Sequence, residues 1–171
     1  DIHTLCPGLA RLLDVRWTIG LRNPAHTVAK LLMPVASNVP VVGVVNHTHP
    51  EYAVSLKAYL ESAKANALLM RGTEGEPVAD ARRQPKLDVY LQGQWDAGLS
   101  LAPEEGPLTR LPTLPTTHDA LTTAHHIDAV LSGEQPMPAS IAQQAKCLRQ
   151  ALAQAEALAG LNTLSGPTSP P

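Results

Sequence analysis

The chain has 171 residues, of which 44% are hydrophobic and 16% charged, which fits one globular domain with a real core rather than two full domains. Its two cysteines, Cys6 and Cys147, lack the spacing of a metal or redox motif, which favours a reduced, cytoplasmic setting. No apolar run approaches the about 20 residues of a membrane helix, so a membrane protein is not expected.

Charge is unevenly distributed along the chain, although the formal net charge is only −2. Residues 9–86 contain ten Lys or Arg against six Asp or Glu, whereas residues 87–171 contain three against eight. A mildly acidic protein with this distribution can still carry a positive face, and the local potential governs polyanion binding. Ordinary surface scatter would give the same counts, so both interpretations stay open.

The first predicted elements are two helices and a strand. Residues 9–13 follow Pro7 and Gly8 and suit a helix start, and residues 24–33 have apolar side chains at helical spacing up to Pro34. The β-branched run from residue 40 to 45 is typical of a strand that is covered on both faces.

A helix over residues 52–65 and a buried strand over residues 66–72 are predicted next. A strand, a helix and a strand in this order form a right-handed crossover, so the two strands should be parallel. Residues 87–91 and 95–101 resemble two shorter strands, and helices are predicted over 118–131 and 138–159. The pattern predicts an α/β fold with a mostly parallel central sheet flanked by helices.

One continuous segment carries a family resemblance. The residues from Gly20-Leu21-Arg22-Asn23-Pro24 to Leu31-Leu32-Met33-Pro34 resemble, without gaps, the anthranilate phosphoribosyltransferase stretch in which a Gly-x-Arg-Thr turn leads through a helix to Leu-x-Asn-Pro. The spacing to the Val-Gly-Val strand and to the Gly-x-x-Gly turn at Gly72 and Gly75 also fits. Four further strings are closest to the YbiB branch of this family: Cys6-Pro7-Gly8-Leu9-Ala10-Arg11, Asn23-Pro24-Ala25-His26-Thr27, Thr48-His49-Pro50-Glu51-Tyr52 and Arg71-Gly72-Thr73-Glu74-Gly75-Glu76-Pro77-Val78-Ala79.

The resemblance covers residues 5–150 and implies both a fold and a function. It implies that residues 1–162 are the carboxy-terminal part of a nucleoside phosphorylase/phosphoribosyltransferase-like catalytic domain (glycosyltransferase family 3) whose amino-terminal helical domain is missing. Residues 163–171 have the composition of a disordered tail. YbiB-type proteins are understood as binders of nucleic acid with little sequence preference, so the resemblance implies a DNA-binding, cytoplasmic homodimer rather than an enzyme.

The enzymes of the family hold magnesium with an Asp-Glu pair just after the Gly-x-x-Gly turn. Pro77 and Val78 occupy that place here, or Glu76 and Pro77 if the turn is one residue shorter. Magnesium requires hard oxygen ligands, which Pro and Val lack, so neither a metal nor a cofactor is expected. Glu74 and Glu76 are the only nearby substitutes in this turn.

An enzymatic alternative stays open at this point. In it, the protein transfers phosphoribosyl from phosphoribosyl pyrophosphate, with magnesium, to an aromatic or base acceptor. Arg16 matches the family's Arg-x-x-Leu-Gly arginine, which approaches the aromatic carboxylate in the enzymes, and it would then orient the acceptor. In a nucleic-acid binder the same arginine would bind a phosphate.

Cations are the candidate nucleic-acid contacts, since binding without sequence preference depends mainly on Lys and Arg at phosphates. The run from Arg82 to Lys86 is the most suggestive, because it lies in a polar connector, although a solvated loop would look the same. Arg16 and Arg22 have a structural alternative as buried arginines bonded to carboxylates or carbonyls. The predicted phosphate-binding residues are Arg16, Arg22, Lys30, Arg71, Arg82, Arg83 and Lys86.

Histidines and aromatic residues complete the sequence-based expectations. His47 and His49 would alternate to opposite sides of an extended chain, so they are not expected to bind zinc together, and His49 before Pro50 should shape a turn into a helix. The chain has three Tyr, two Trp and no Phe, and these are not interleaved with the basic residues. Base stacking is therefore predicted to be a poor mechanism, with phosphate electrostatics dominant.

Overall fold

The computed structural model describes residues 1–33, 39–72, 76–108, 111–117 and 119–164, with the backbone alone for 161–164. The chain divides into two compact units, Asp1–Asn38 and Val39–Pro171. Each unit has its own secondary structure. Among the described residues, no helix combines the length and apolarity needed to cross a membrane.

The first unit is helical and consists of α1 (Ile2–Leu5), α2 (Pro7–Ile19) and α3 (Ala25–Ala29). Pro7 stands in the first turn of α2, where its missing N–H costs no hydrogen bond. The predicted second helix is shorter than expected, since α3 ends at Ala29 and the next residues form a turn. Pro34, the residue expected to end it, lies outside the described residues.

The second unit begins with the predicted crossover. Strand β1 (Gly43–His47), helix α4 (Pro50–Ser62) and strand β2 (Ala67–Arg71) follow one another, and β1 pairs with β2 in parallel. His49 is the N-cap of α4 and Pro50 its first residue, but the His49 side chain makes no capping hydrogen bond, so its role in shaping the turn stays a prediction.

The rest of the sheet corrects the expectation of a mostly parallel arrangement. Strands β3 (Leu87–Leu91) and β4 (Gln94–Leu101) extend the sheet in the order β1-β2-β3-β4, and β3 runs antiparallel to both neighbours. Gln92 and Gly93, both with positive φ, join β3 to β4. Two residues of this conformation form a tight hairpin, which can only connect antiparallel strands. The structure is therefore α/β with an open, mixed four-stranded sheet.

Helices cover the two faces of this sheet. Helix α6 (Ala139–Leu164) supplies Cys147, Ala151 and Ala155 to a buried cluster with residues of β2 and β3 such as Leu68 and Val89. Helix α4 contacts β1 and β2, and its buried Leu56 and Leu60 are not part of that cluster. Since strand side chains alternate between faces, α4 covers the face opposite α6.

Helix α6 also fixes the chain that leads into β3. The side chain of Gln144 accepts a hydrogen bond from the Ala79 N–H at 2.8 Å and donates one to the Pro77 carbonyl at 2.9 Å. Ser140 donates to the Asp80 carbonyl at 2.6 Å. These bonds join residues far apart in sequence, and they set the position of the connector that carries Arg82 and Arg83.

The last predicted helices are confirmed with shifted boundaries. Helix α5 (Ala120–Ser132) begins after Asp119, whose carboxylate accepts the Thr122 N–H, and this bond lowers the pKa of Asp119. Helix α6 runs past the predicted end at residue 159. The expected disordered tail spans residues 163–171, but the backbone of residues 163 and 164 still belongs to α6, and His118 and residues 165–171 lie outside the described residues.

Candidate nucleic-acid interface

All seven predicted phosphate-binding cations lie at the surface. Arg16 and Arg83 are partly buried, and the other five are exposed: Arg22, Lys30, Arg71, Arg82 and Lys86. Exposure of Arg22 does not fit the alternative of a buried arginine, whereas partial burial of Arg16 leaves that alternative open for it. The nucleic-acid role of these residues stays a prediction, because exposure permits phosphate contact without demonstrating it.

Three of the predicted residues lie in the helical unit, where one of them contacts an aromatic ring. The guanidinium carbon of Arg16 lies 4.6 Å from the ring centroid of Trp17, a cation–π contact in the last turn of α2. Trp17 is 77% exposed. Arg22 follows α2, and Lys30 is the C-cap of α3.

A second group surrounds a carboxylate on the face of the sheet that α4 covers. The Asp88 cluster consists of His47, Arg71, Lys86, Asp88 and Trp95. Lys86 Nζ lies 2.9 Å from one Asp88 oxygen, and the indole Nε1 of Trp95 donates to the other at 3.0 Å.

Strand register brings the remaining members of the Asp88 cluster to the same face. His47 and Arg71 are direct cross-strand neighbours in β1 and β2, and Leu69 is the neighbour of Asp88. Cross-strand neighbours point to the same side of a sheet, as do residues two apart along a strand. Arg71, Lys86 and His47 therefore share one face although they are far apart in sequence.

The charges of the cluster affect the pKa of His47. Partial burial of the ring lowers the pKa of His47, and the nearby Arg71 lowers it further. The hydrogen bond with the His49 carbonyl and the Asp88 carboxylate raise the pKa, but they do not compensate. His47 is thus mainly neutral at pH 7, and the lasting positive charges of the cluster belong to Arg71 and Lys86.

Arg82 and Arg83 line a groove of about 680 Å³. Arg82 is held by a two-bond fork on Asp80, with Nε 3.0 Å from Oδ1 and Nη2 2.8 Å from Oδ2. This contact lowers the pKa of the Asp80 carboxyl. Arg83 donates from Nη2 to the Gly106 carbonyl at 2.7 Å. Apolar side chains form much of the remaining wall: Leu101, Pro103, Leu111, Pro112 and Met137.

The groove and the Asp88 cluster lie on opposite faces of the sheet. Leu101 lines the groove and packs against the core cluster under α6, and the first residues of α6 line the groove as well. The Asp88 cluster occupies the other face. The basic run from Arg82 to Lys86 is thus one string in sequence but contributes to two separate surfaces.

The segment where the resemblance would place a metal-binding carboxylate pair is exposed. Pro77 and Val78 lie there with Glu76 beside them, and Glu74 lies outside the described residues. Among the described residues, no group of three or more His, Cys, Asp or Glu is arranged to hold a metal ion.

Trp95 is the residue that sequence reasoning missed. The sequence places it beside no cation, but the β3–β4 hairpin brings it to Asp88 and thereby to Lys86. Only the hairpin signal around Gln92 and Gly93 could have indicated this neighbourhood, because it sets which residues face each other. Both tryptophans therefore lie next to a predicted phosphate-binding cation.

The chain is similar to a protein of Escherichia coli. The chain is 34% identical over 146 residues to the uncharacterized protein YbiB of Escherichia coli (strain K12). The match covers 85% of this chain and 44% of that protein, so the chain spans less than half of its length. No protein-family model matches the chain. The name of the relative assigns no activity.

Proposed function

We propose that this chain binds nucleic acid, DNA above all, with little sequence preference, through surface cations on a phosphoribosyltransferase-like α/β fold that has lost its acidic magnesium pair. One observation carries the proposal. Arg71 and Lys86, distant in sequence, lie on one face of the sheet around Asp88, with their charged groups accessible to a polyanion.

The positions of the cations explain why binding would not depend on the nucleotide sequence. They lie at a strand end, in a connector and in short helical segments, rather than along one long helix that could enter a major groove. Such contacts engage phosphates, which carry no sequence information, and they release counterions when they form. Affinity should therefore depend strongly on salt and weakly on sequence.

The similarity to YbiB agrees with the branch of the family that the sequence resembles. A homodimer and a cytoplasmic location belong to the same proposal, as the family resemblance implies. Within the part of the chain that the structure describes, nothing favours the transferase alternative: Pro77 and Val78 are exposed where the resemblance would place the carboxylate pair, and Glu74 lies outside that part.

The test is DNA binding by the 171-residue chain as a function of salt. Labelled oligonucleotides of several unrelated sequences are titrated by fluorescence anisotropy. We expect similar affinities for all sequences and a steep decline as salt rises. Equal affinity at low and moderate salt, or no binding at low salt, would contradict the proposal.

Double variants separate the two surfaces. We expect R71A/K86A and R82A/R83A each to weaken binding and to reduce the salt slope by about one for every phosphate contact removed. The matched control K146A/R149A removes two exposed cations of α6 and should leave the slope unchanged. If the control weakens binding as much as the site variants, net charge alone governs affinity and the assigned surfaces are wrong.

A further inference from the structure

Trp95 has an unusual combination of exposure and anchoring. It lies in the edge strand β4, is 50% exposed, and is the cross-strand neighbour of Tyr90, which is 2% exposed. Its indole N–H is bonded to an Asp88 carboxylate whose side chain is 15% exposed. The polar edge of the indole is thus satisfied, while much of the ring remains accessible.

The hydrogen bond to Asp88 orients the Trp95 ring in advance for a planar ligand that stacks on it. An exposed aromatic side chain usually loses rotamer freedom when a ligand orders it, which weakens binding. Trp95 is already tied to a largely buried carboxylate, so a molecule that stacks on it orders little more. The register places Trp95 opposite the buried Tyr90, yet half of the Trp95 side chain remains exposed.

Cations lie next to the accessible ring. Lys86 binds the second oxygen of the carboxylate that holds Trp95, and Arg71 lies on the same face of the sheet. An aromatic face beside Lys or Arg is the arrangement by which proteins bind single-stranded nucleic acid, with the base on the ring and the phosphate on the cation. Asp88 positions both groups relative to each other.

We infer that the Asp88 cluster holds one unpaired nucleotide, with its base stacked on Trp95 and its phosphate bound by Lys86 and Arg71. This inference rests on the proposed function and deepens it, because it names an unpaired strand as the partner. The bases of an intact duplex are stacked on one another and are not available to the indole. It also revises the expectation that stacking is a poor mechanism for this chain.

Trp17 provides an internal comparison. The Arg16 guanidinium already lies over its ring, so a base would have to displace that contact or use the other face. Because the chain has only two Trp, the substitution W17F leaves Trp95 as the only tryptophan fluorophore. Its fluorescence then reports stacking at this one position.

The experiment titrates the W17F chain with oligo(dT) and with a blunt-ended DNA duplex that has no loop. We expect oligo(dT) to quench Trp95 fluorescence and the duplex to leave it largely unchanged. In the otherwise natural chain, W95A should weaken oligo(dT) binding about tenfold, with the salt slope unchanged because no charge is removed. W95F should restore most of the affinity, since a phenyl ring still stacks.

The outcomes separate this inference from the proposed function. Oligo(dT) binding without quenching, or W95A affinity equal to that of the natural chain, overturns the stacking site and leaves nucleic-acid binding intact. If the chain binds neither of the two DNAs, the proposed function and this inference are both wrong. Circular dichroism verifies folding of W95A. If that variant does not fold, quenching in the W17F chain decides.

Discussion

Lys86 and Trp95 are bound to the same carboxylate, at 2.9 and 3.0 Å from the two oxygens of Asp88. The substitution D88N keeps an oxygen that can accept the indole N–H but removes the negative charge. We expect D88N to raise oligonucleotide affinity about three- to tenfold at low salt, since a like charge near the phosphates is lost and Lys86 is released. Anisotropy titrations at several salt concentrations measure the effect, which should shrink as salt rises.

The matched control for D88N is D128N, which removes the same charge from an exposed position of α5. An equal gain in both variants would show that only net charge matters. A loss of affinity in D88N would show that the positioning of Lys86 and Trp95 by Asp88 outweighs the repulsion between its charge and a phosphate.

Replacing Gln144, which makes two hydrogen bonds to the chain before β3, should destabilise the protein. Q144L leaves the Ala79 N–H and the Pro77 carbonyl without the partners they have in the native state. Losing the buried hydrogen bond to Ala79 and the partly buried one to Pro77 should together lower the free energy of unfolding by about 2–3 kcal/mol. Urea denaturation measures the change. The neighbouring Q143L alters an exposed side chain and should stay within about 0.5 kcal/mol of the natural chain.

Gly72 is required by close packing at the end of β2. A Cβ at this position would lie 2.5 Å from the Glu76 backbone carbonyl oxygen and 2.6 Å from Asn46 Nδ2. Because the backbone oxygen cannot move away cheaply, G72A should destabilise the fold by about 1–3 kcal/mol, as other overpacked sites do. Thermal unfolding gives the measurement.

Gly160 in α6 supplies the control for Gly72, since a Cβ there meets no atom of the described residues within 4 Å. G160A should stabilise the chain by about 0.5–1 kcal/mol through helix propensity. Destabilisation by both substitutions would indicate a general cost of Ala at these positions rather than the predicted clash.

The elements of this fold could be predicted because their apolar patterns are local. The run of residues 66–72 and the amphipathic segment before it specify a strand and a helix whatever surrounds them. The parallel direction of β1 and β2 followed from the helix between them, but the directions of β3 and β4 could not be derived from the apolar patterns alone. The hairpin at Gln92 and Gly93 is what makes β3 and β4 antiparallel.

The candidate site shows the same division. Exposure of the predicted cations follows from their charge, so residues such as Arg71 and Lys86 could be selected from sequence. The sequence could not predict that these cations lie together, because their grouping depends on the register that sets Leu69 opposite Asp88. The β3–β4 pairing shifts register between Leu87 and Val89, so the contact of Asp88 with Trp95 could not be predicted from regular pairing either.

The pKa of His47 provides a test of the cluster that does not require any ligand. Burial lowers this pKa, Arg71 lowers it further and Asp88 raises it. R71Q should therefore raise the pKa of His47, and D88N should lower it. Both shifts can be measured by NMR titration of the imidazole. Shifts in the reverse directions would show that the three side chains are not arranged as described.

The sign of this shift also fixes how stability depends on pH. Since the folded-state pKa lies below the ordinary value of 6.5, folding favours the neutral ring, and this contribution is fully present above the unfolded-state pKa. It is lost as the pH falls through the folded-state pKa. Between pH 7.5 and 5, roughly one unit or more on either side of 6.5, the free energy of unfolding should fall less in H47Q than in the natural chain. Parallel curves for the two proteins in denaturant titrations would show that His47 does not titrate as the cluster requires.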